Sequence, residues 1–386
     1  MSATIWNFPT KMHFGAGVVV QLPALCRELG ISRPLLVTDR GLKDLPFVQD
    51  MLEQCNGAGL TAALFGAVKG NPEGVDVDSA VVAFRQNGCD GVIAVGGGSA
   101  LDVGKTVALV AGQKRSLWEL GGGGFDWSWI ADNDVLPLVA VPTTAGTGSE
   151  VGRSSVIIHE ASQSKKIVFH PSLMPPVVLS DPELTVGLPP HITAATGIDA
   201  FVHCFEAYCA PGFHPMAEGI ALEGMRLVAE ALPRAFDQGD DVDARGKMLA
   251  AATMGATAFQ KDLGGVHALA HPLGALYDIH HGLVNAILLP YVMIANHTAI
   301  AERMALPARV LGLEQANFNG LLDWVLAFRE RLGIPHSLSE TGISADKIAE
   351  VGQRAAVDPC APGNPIPFTA EQYSRIFANA LQGRLS

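Results

Sequence analysis

Through about residue 185 the chain repeats one pattern: a short β-rich apolar run, a turn, then a stretch of helical length. Leu35-Leu36-Val37-Thr38 runs into the turn Asp39-Arg40-Gly41, and residues 61–65, 91–95 and 136–141 read as further strands. Helix-length segments such as 46–55 and 75–86 lie between them. Strands that alternate with helices predict a parallel sheet covered on both faces. After Pro189-Pro190 the texture changes to Ala, Leu, Met and Glu, as in residues 217–231 and 245–258, which predicts helices long enough to bundle. The expected organisation is an α/β domain with a parallel sheet over 1–185 and an all-α domain over 186–386. The boundary is placed between Pro175 and Pro190.

Composition removes several classes of function. Lys and Arg number 26 against 38 Asp and Glu, a net charge of −12, with no basic run to offset it. That balance lacks the electrostatic footprint of a nucleic-acid or anionic-membrane binder. The six cysteines (Cys26, Cys55, Cys89, Cys204, Cys209 and Cys360) form no CxxC pair, which argues against a disulfide framework and a Cys-ligated zinc site. The N-terminal residues do not read as a secretory signal. The longest apolar stretch, 283–295, is interrupted by Asn285 and Pro290 and is too short to span a bilayer. A soluble cytoplasmic protein acting on a small molecule is the expectation.

Glycine-rich turns mark candidate ligand loops. Val92-Ile93-Ala94-Val95 leads into Gly96-Gly97-Gly98-Ser99 and then Ala100-Leu101-Asp102-Val103-Gly104-Lys105. A helix N-terminus offers unpaired N–H groups and a positive dipole end, and glycine lets a diphosphate approach the backbone. The motif is neither GxGxxG nor a P-loop, and an ordinary βα turn would look similar. A second loop, Pro142-Thr143-Thr144-Ala145-Gly146-Thr147-Gly148-Ser149-Glu150, follows another strand. Two such loops at the carboxyl ends of parallel strands suggest a dinucleotide. Asp39, at the end of its strand, suits the adenosine ribose hydroxyls and opposes a 2′-phosphate, favouring NAD over NADP; a turn-forming Asp is the alternative. The cluster at 121–124 reads as a surface loop.

In the second half, His267 and His271 sit one helical turn apart, as do Asp199 and His203, and His280-His281 follow. Apolar neighbours such as Ala200, Phe201, Ala268 and Leu269 make these polar faces costly unless occupied. Three imidazoles and a carboxylate suit a divalent transition metal, and no HExxH is present.

Several motifs together carry a family resemblance. They are Phe8-Pro9-Thr10-Lys11, Phe14-Gly15-Ala16-Gly17, Asn71-Pro72, Gly96 to Ser99 with Asp102 and Lys105, and the 142–150 loop. Asp181-Pro182-Glu183-Leu184, Gly197-Ile198-Asp199-Ala200 and residues 264–282 complete the set. The chain resembles the iron-containing (group III) alcohol dehydrogenases, whose fold is shared with glycerol dehydrogenase and dehydroquinate synthase. The resemblance implies metal ligands at Asp199, His203, His267 and His281, the last preferred over His280 by spacing. It implies Fe²⁺ as the metal, with Zn²⁺ also acceptable to the donor set. It further implies His271 near the nicotinamide as a proton relay, with His280 the alternative. Asn71 and Lys166 fall near the cofactor, and a homodimer is implied.

The expected activity is hydride transfer between a primary or short-chain alcohol, or an aldehyde, and NAD(H), in a cleft between the domains. The alternatives are a dehydroquinate synthase-like lyase, a metal-free maleylacetate reductase-type enzyme and a binding-only module. Two departures from the family bear on substrate: Gly152-Arg153, and Phe259-Gln260-Lys261-Asp262 before the metal histidines. If Arg153 or Lys261 faces the pocket, a substrate with a distal carboxylate is expected, such as a short ω-hydroxy acid.

Overall fold

The computed structural model describes residues 6–8, 10–114, 116–120, 127 and 130–385. Pro9 and the glycine cluster at 121–124 lie outside these residues. The chain divides into two compact units: Phe8–Thr144 with Gly148–Val186, and Gly187–Ser386 with Ala145–Thr147 and the N-terminal residues through Asn7.

The first unit is the α/β layer that the alternating pattern calls for. Its strands are β1 (Lys11–Phe14), β2 (Pro34–Asp39), β3 (Ala63–Val68), β4 (Gly91–Gly96), β5 (Leu138–Pro142), β6 (Ser154–His159), β7 (Ser164–Phe169) and β8 (Val177–Ser180). Six of them form one sheet in the order β1-β8-β5-β4-β2-β3, every neighbouring pair parallel. The helices are α1 (Leu22–Glu28), α2 (Pro46–Gly57), α3 (Gly74–Gln86), α4 (Gly98–Val110) and the short α5 (Leu117–Leu120). β4 is buried along its whole length, which is why Gly91 to Gly96 reads as one unbroken apolar run. Leu25, Leu36, Ile93, Val139, Val141 and Leu179 form the core on one side of the sheet.

From β2 the chain steps outward to β3, returns to β4 on the other side of β2, and from β4 continues to β5. The carboxyl ends of β2 and β4 therefore flank a topological switch point, where open α/β sheets bind ligands. β3 starts two residues later than the sequence suggests. The Leu60 N–H instead closes on the Cys55 carbonyl and the Thr61 N–H on that of Ser32. The antiparallel hairpin β6–β7 was not expected. It stands apart from the main sheet and is bridged through Ile158 to Glu73, the residue that caps α3.

The second unit is helical. Its main elements are α6 (Pro190–Cys209), α7 (Pro215–Asp237), α8 (Val242–Ala258), α9 (Gly265–Tyr277) and α10 (His281–Ala295), followed by shorter helices. α6 is buried almost all round, packed by α7, α8 and α10. Phe201, Leu232, Leu249, Leu269, Ile287 and Phe377 belong to its core. No single helix among the described residues is long and apolar enough to cross a membrane.

Helix α4 lies so close to β4 that a Cβ on Gly104 would stand 2.5 Å from Ala94 Cβ and 3.3 Å from Ala94 Cα. Helix propensity alone would make Gly104→Ala a gain of about 1 kcal/mol. Overpacking costs about 1–3 kcal/mol, and the obstacle here is strand backbone and its Cβ, which cannot swing aside. We expect a net loss, read as a lower urea midpoint with an unchanged slope; a raised midpoint would show that the close approach is not needed.

Candidate active site

Two helical turns of α6 place Asp199, His203 and Glu206 along one buried face. α9 brings His267 and His271 to them, and α10 begins with His281. One ligand atom from each of Asp199, His203 and His267 falls within 4.8 Å of the others. The His203 and His267 rings stack at 4.7 Å between centroids, and His281 stands 5.3 Å from His267. His280 instead caps α10, accepting the Leu283 N–H at 3.3 Å, and is exposed. Asn285, one turn along α10, donates its amide to Asp199 Oδ1 at 2.6 Å, and the same nitrogen lies 3.2 Å from His267 Nε2 and 3.1 Å from His281 Nε2.

The donor set fits a divalent cation on charge as well as spacing. Asp199 and Glu206 are 2% and 5% exposed, and among the described residues their only ion-pair partner is His267. Two buried carboxylates sharing one imidazole leave negative charge that burial makes costly unless a cation balances it. Metal–ligand bonds of about 2.0–2.2 Å put neighbouring donors roughly 3–4 Å apart, near the spacing seen here. Burial pushes the His203 imidazole down to about 4, so it is neutral and able to ligate at neutral pH. At His267 burial also opposes the charged form, but the hydrogen bond and charge of Glu206 outweigh it and raise the pKa.

His271 continues the row. Its ring stacks on His281 at 5.7 Å, and its Nδ1 lies 2.9 Å from Asp358 Oδ2. With Nδ1–H donated to that carboxylate, Nε2 is the atom left to accept a proton.

The candidate cofactor loops lie at the switch point of the sheet unit. Gly96 ends β4 at φ +143°, a backbone state that L side chains rarely adopt, and a Cβ there would stand 2.7 Å from Ala100 Cβ and 3.3 Å from Asp39 Oδ2. Gly97 caps α4 with no side chain on its first-turn N–H groups, so the helix N-terminus, Gly98 and Ser99 included, suits a phosphate. Thr143 donates its N–H to the Gly96 carbonyl at 3.0 Å, while its buried hydroxyl has no partner. A Cβ on Gly97 would stand 3.2 Å from the Thr144 hydroxyl. Asp39 accepts the N–H groups of Gly41 at 2.8 Å and Leu42 at 3.1 Å, so it performs the turn-forming role whatever else it binds.

Other candidates make further contacts. Asp102 accepts the Ser149 hydroxyl at 2.5 Å and the Val156 N–H at 2.8 Å, and its Oδ1 lies 3.5 Å from Lys105 Nζ. Lys105, wholly buried, also donates to the carbonyls of Ser149, Gly152 and Ser154. The pair clips residues 149–156 to α4. Ser99 donates its hydroxyl to the Gly70 carbonyl at 2.5 Å, beside Asn71. Lys166 lies on β7 opposite Ile157. Thr147 falls in the helical unit, so the structure divides the second loop between the units.

Two family models match this architecture in turn: iron-containing alcohol dehydrogenase over residues 9–182, and the C-terminal region of Fe-containing alcohol dehydrogenases over 193–381. The chain belongs to the iron-containing alcohol dehydrogenase family. It is 39% identical to a 4-hydroxybutyrate dehydrogenase of Cupriavidus necator, over 96% of this chain and 98% of that protein. It is 33% identical to an NAD-dependent methanol dehydrogenase of Bacillus methanolicus, over 98% and 100%. Among solved structures it resembles a 1,3-propanediol oxidoreductase, with a TM-score of 0.92 at 32% identity, covering 98% of this chain and 100% of that one. Family membership makes the protein an alcohol dehydrogenase and disfavours the lyase and metal-free reductase alternatives.

Within this family member, three polar residues at the histidine cluster escaped the sequence reading. Glu206 carried a usable signal, standing seven residues after Asp199 and three after His203 on one helix face. Asn285 carried a weaker one, four residues after His281. Asp358 is 87 positions from His271, and nothing local joins them. The two cations singled out for substrate also part ways. Lys261 is buried, 2.6 Å from Glu218 Oε1 and 3.3 Å from the Tyr208 carbonyl, so it is neither a solvated surface residue nor a free cation. The Arg153 guanidinium lies 5.5 Å from the centroid of the Phe169 ring and makes no ion pair among the described residues.

Gly282 couples this cluster to helix packing. A Cβ there would stand 2.5 Å from the Ala195 carbonyl oxygen and 3.2 Å from Asp199 Cβ. Gly282→Ala must push the start of α10 off α6, moving His281 away from Asp199, at a cost of about 1–3 kcal/mol. Metal content after dialysis should fall along with thermal stability; unchanged metal content would mean that His281 does not need this contact.

Proposed function

We propose that this alcohol dehydrogenase interconverts a primary alcohol and its aldehyde with NAD(H), using a divalent metal held by Asp199, His203, His267 and His281. The observation that carries the reading is the buried excess of negative charge beside three imidazoles in the helical unit. Iron is the metal in the family's name; the donor set also accepts Zn²⁺, which binds such sites more tightly by intrinsic affinity.

When bound, the ion supplies Lewis acidity toward the alcohol or carbonyl oxygen and NAD(H) supplies the hydride carrier. The chain's own residues do the rest. The N–H groups at the start of α4, with Gly96, Gly97, Gly98 and Ser99, bind the diphosphate. Asp39 keeps oxygen lone pairs for the ribose beyond those used in its turn. Thr143 and Thr144 line the same strand ends. Asp102 holds the neighbouring segment through Ser149 and Val156. His271, its Nδ1 held by Asp358, accepts the alcohol proton at Nε2 and passes it outward. We assign the enzyme to the cytoplasm, where its free cysteines stay reduced, and expect a homodimer.

Asp199→Ala and His267→Ala should each abolish metal binding and net NADH production from a short alcohol. NAD affinity should be nearly unchanged, because the glycine turn at the start of α4 and the metal cluster belong to different units. Retained metal in both variants would overturn the ligand assignment, and turnover without net NADH would overturn the dehydrogenase reading.

For substrate we propose a short ω-hydroxy acid or its aldehyde, supported by the 39% identity to a 4-hydroxybutyrate dehydrogenase and by the Arg153 cation, which among the described residues pairs with no carboxylate. A charge-assisted hydrogen bond contributes about 1.5–3 kcal/mol, or roughly 10–100-fold in kcat/KM. Wild type should prefer 4-hydroxybutyrate over 1-butanol, and Arg153→Ala should lose about that factor for the acid alone. A preference for butanol that the substitution leaves unchanged would point to a pocket for neutral alcohols.

A further inference from the structure

Glu206 is buried on α6 and spends both of its oxygens on the first turn of α9. Its Oε1 accepts the Val266 N–H at 2.7 Å, and its Oε2 lies 2.6 Å from His267 Nδ1. The other nitrogen of that ring, Nε2, faces Asp199 Oδ1 at 4.0 Å. The His267 imidazole thus stands between two carboxylates of one helix, each addressing a different nitrogen. A carboxylate can only accept, so the nitrogen beside Glu206 carries the proton, and in the neutral ring the lone pair is then on Nε2.

We propose that Glu206 is a positioning residue for the metal: it holds His267 in the Nδ1–H tautomer, so that the Nε2 lone pair is presented to the ion, and it adds a second buried negative charge behind that ligand. This rests on reading Asp199, His203, His267 and His281 as the ligand set. Ligating histidines commonly donate their other N–H to a carboxylate, and loss of such a partner weakens metal binding about 10–100-fold.

A purely architectural Glu206, there to anchor α9 through Val266, makes a different prediction for Glu206→Gln. The Gln carbonyl can still accept the Val266 N–H, so the helix anchor survives. Its NH₂ group then faces His267 Nδ1, which must become an acceptor. The ring proton moves to Nε2, the very atom the metal needs. An architectural role would leave affinity intact; a tautomer-setting role would not.

The experiment is Zn²⁺ competition against a chromogenic chelator, with metal-free wild type, Glu206→Gln and Asp199→Ala, each checked by circular dichroism. We expect the Gln variant to fold and its Kd for Zn²⁺ to rise about 10–100-fold. Long-range ¹H–¹⁵N correlation of histidine-labelled, Zn²⁺-loaded wild type should show His267 protonated at Nδ1 and metal-bound at Nε2, with the resonance assigned through His267→Gln. A folded Gln variant with wild-type affinity overturns the proposal. If that variant does not fold, the wild-type spectrum decides, and His267 bound through Nδ1 overturns it. Asp199→Ala separates the two levels. Wild-type affinity in that variant sinks the ligand set and this inference together, whereas lost binding there beside unchanged binding in Glu206→Gln sinks this inference alone.

Discussion

The helical unit is organised around negative charge that it cannot neutralise by itself. Asp199 and Glu206 lie in the interior on one face of α6, and no lysine or arginine among the described residues reaches either. Burying unbalanced carboxylates opposes folding by several kcal/mol apiece unless a cation or a dense set of donors compensates. The unit supplies what donors it can: the Asn285 amide to Asp199, and the Val266 N–H and His267 ring to Glu206. What remains is a demand for positive charge at one point, and the approach of three helices is built to meet it. The absence of a Cβ at Gly282 lets α10 come against the α6 backbone where its histidine is needed.

The sheet unit solves the opposite problem. Its charged residues near the ligand loops are largely committed to one another. Asp102 and Lys105 meet each other and the segment 149–156, while Asp39 caps its own turn. At the end of β4 what stays open is mostly backbone: the N–H groups of α4, uncapped by any side chain, and glycine where a Cβ would collide. Backbone donors and a helix dipole attract an anion without a fixed cation, so diphosphate recognition is compatible with a protein of net charge −12. One unit is thus prepared for a cation and the other for an anion, by unrelated means.

The sequence makes this division legible wherever the chemistry is local. Alternating runs mark a parallel sheet because buried strands must be apolar on both faces, and β2, β4 and β5 follow within a few residues. The pairs Asp199/His203 and His267/His271 are readable because helical periodicity converts spacing into a shared face. What stays hidden is non-local. The β6–β7 hairpin has β-formers in Val156-Ile157-Ile158 and Ile167-Val168-Phe169, but its place, with the Val156 N–H on Asp102 and Ile158 bridged to Glu73, is set by contacts distant in sequence. Asp358 reaches His271 only through the fold. Glu206 was open to detection, but a Glu inside a long helix is ordinarily a solvated residue, and only the full burial of α6 changes its meaning.

The departure at residues 259–262 shows how a local oddity can be misassigned. Read beside the metal histidines, Phe259-Gln260-Lys261-Asp262 suggested a substrate contact. In the structure each member turns the chain from α8 into α9 or holds it there. Phe259 sets its ring edge-on to His203 at 5.3 Å, and Gln260 exchanges two hydrogen bonds with the Asn7 backbone, each 2.7 Å. Lys261 is neutralised by Glu218, which Arg303 also contacts at 3.1 Å. Asp262 adopts a left-handed backbone at φ 95°, a strained state for a non-glycine residue that reverses the chain just before α9. Lys261 is buried and already held by Glu218 and the Tyr208 carbonyl, so meeting a substrate carboxylate would mean giving up both partners for one new hydrogen bond. The segment therefore bears on the histidine cluster through packing, by Phe259 against His203 and by the turn that leads into α9 and His267.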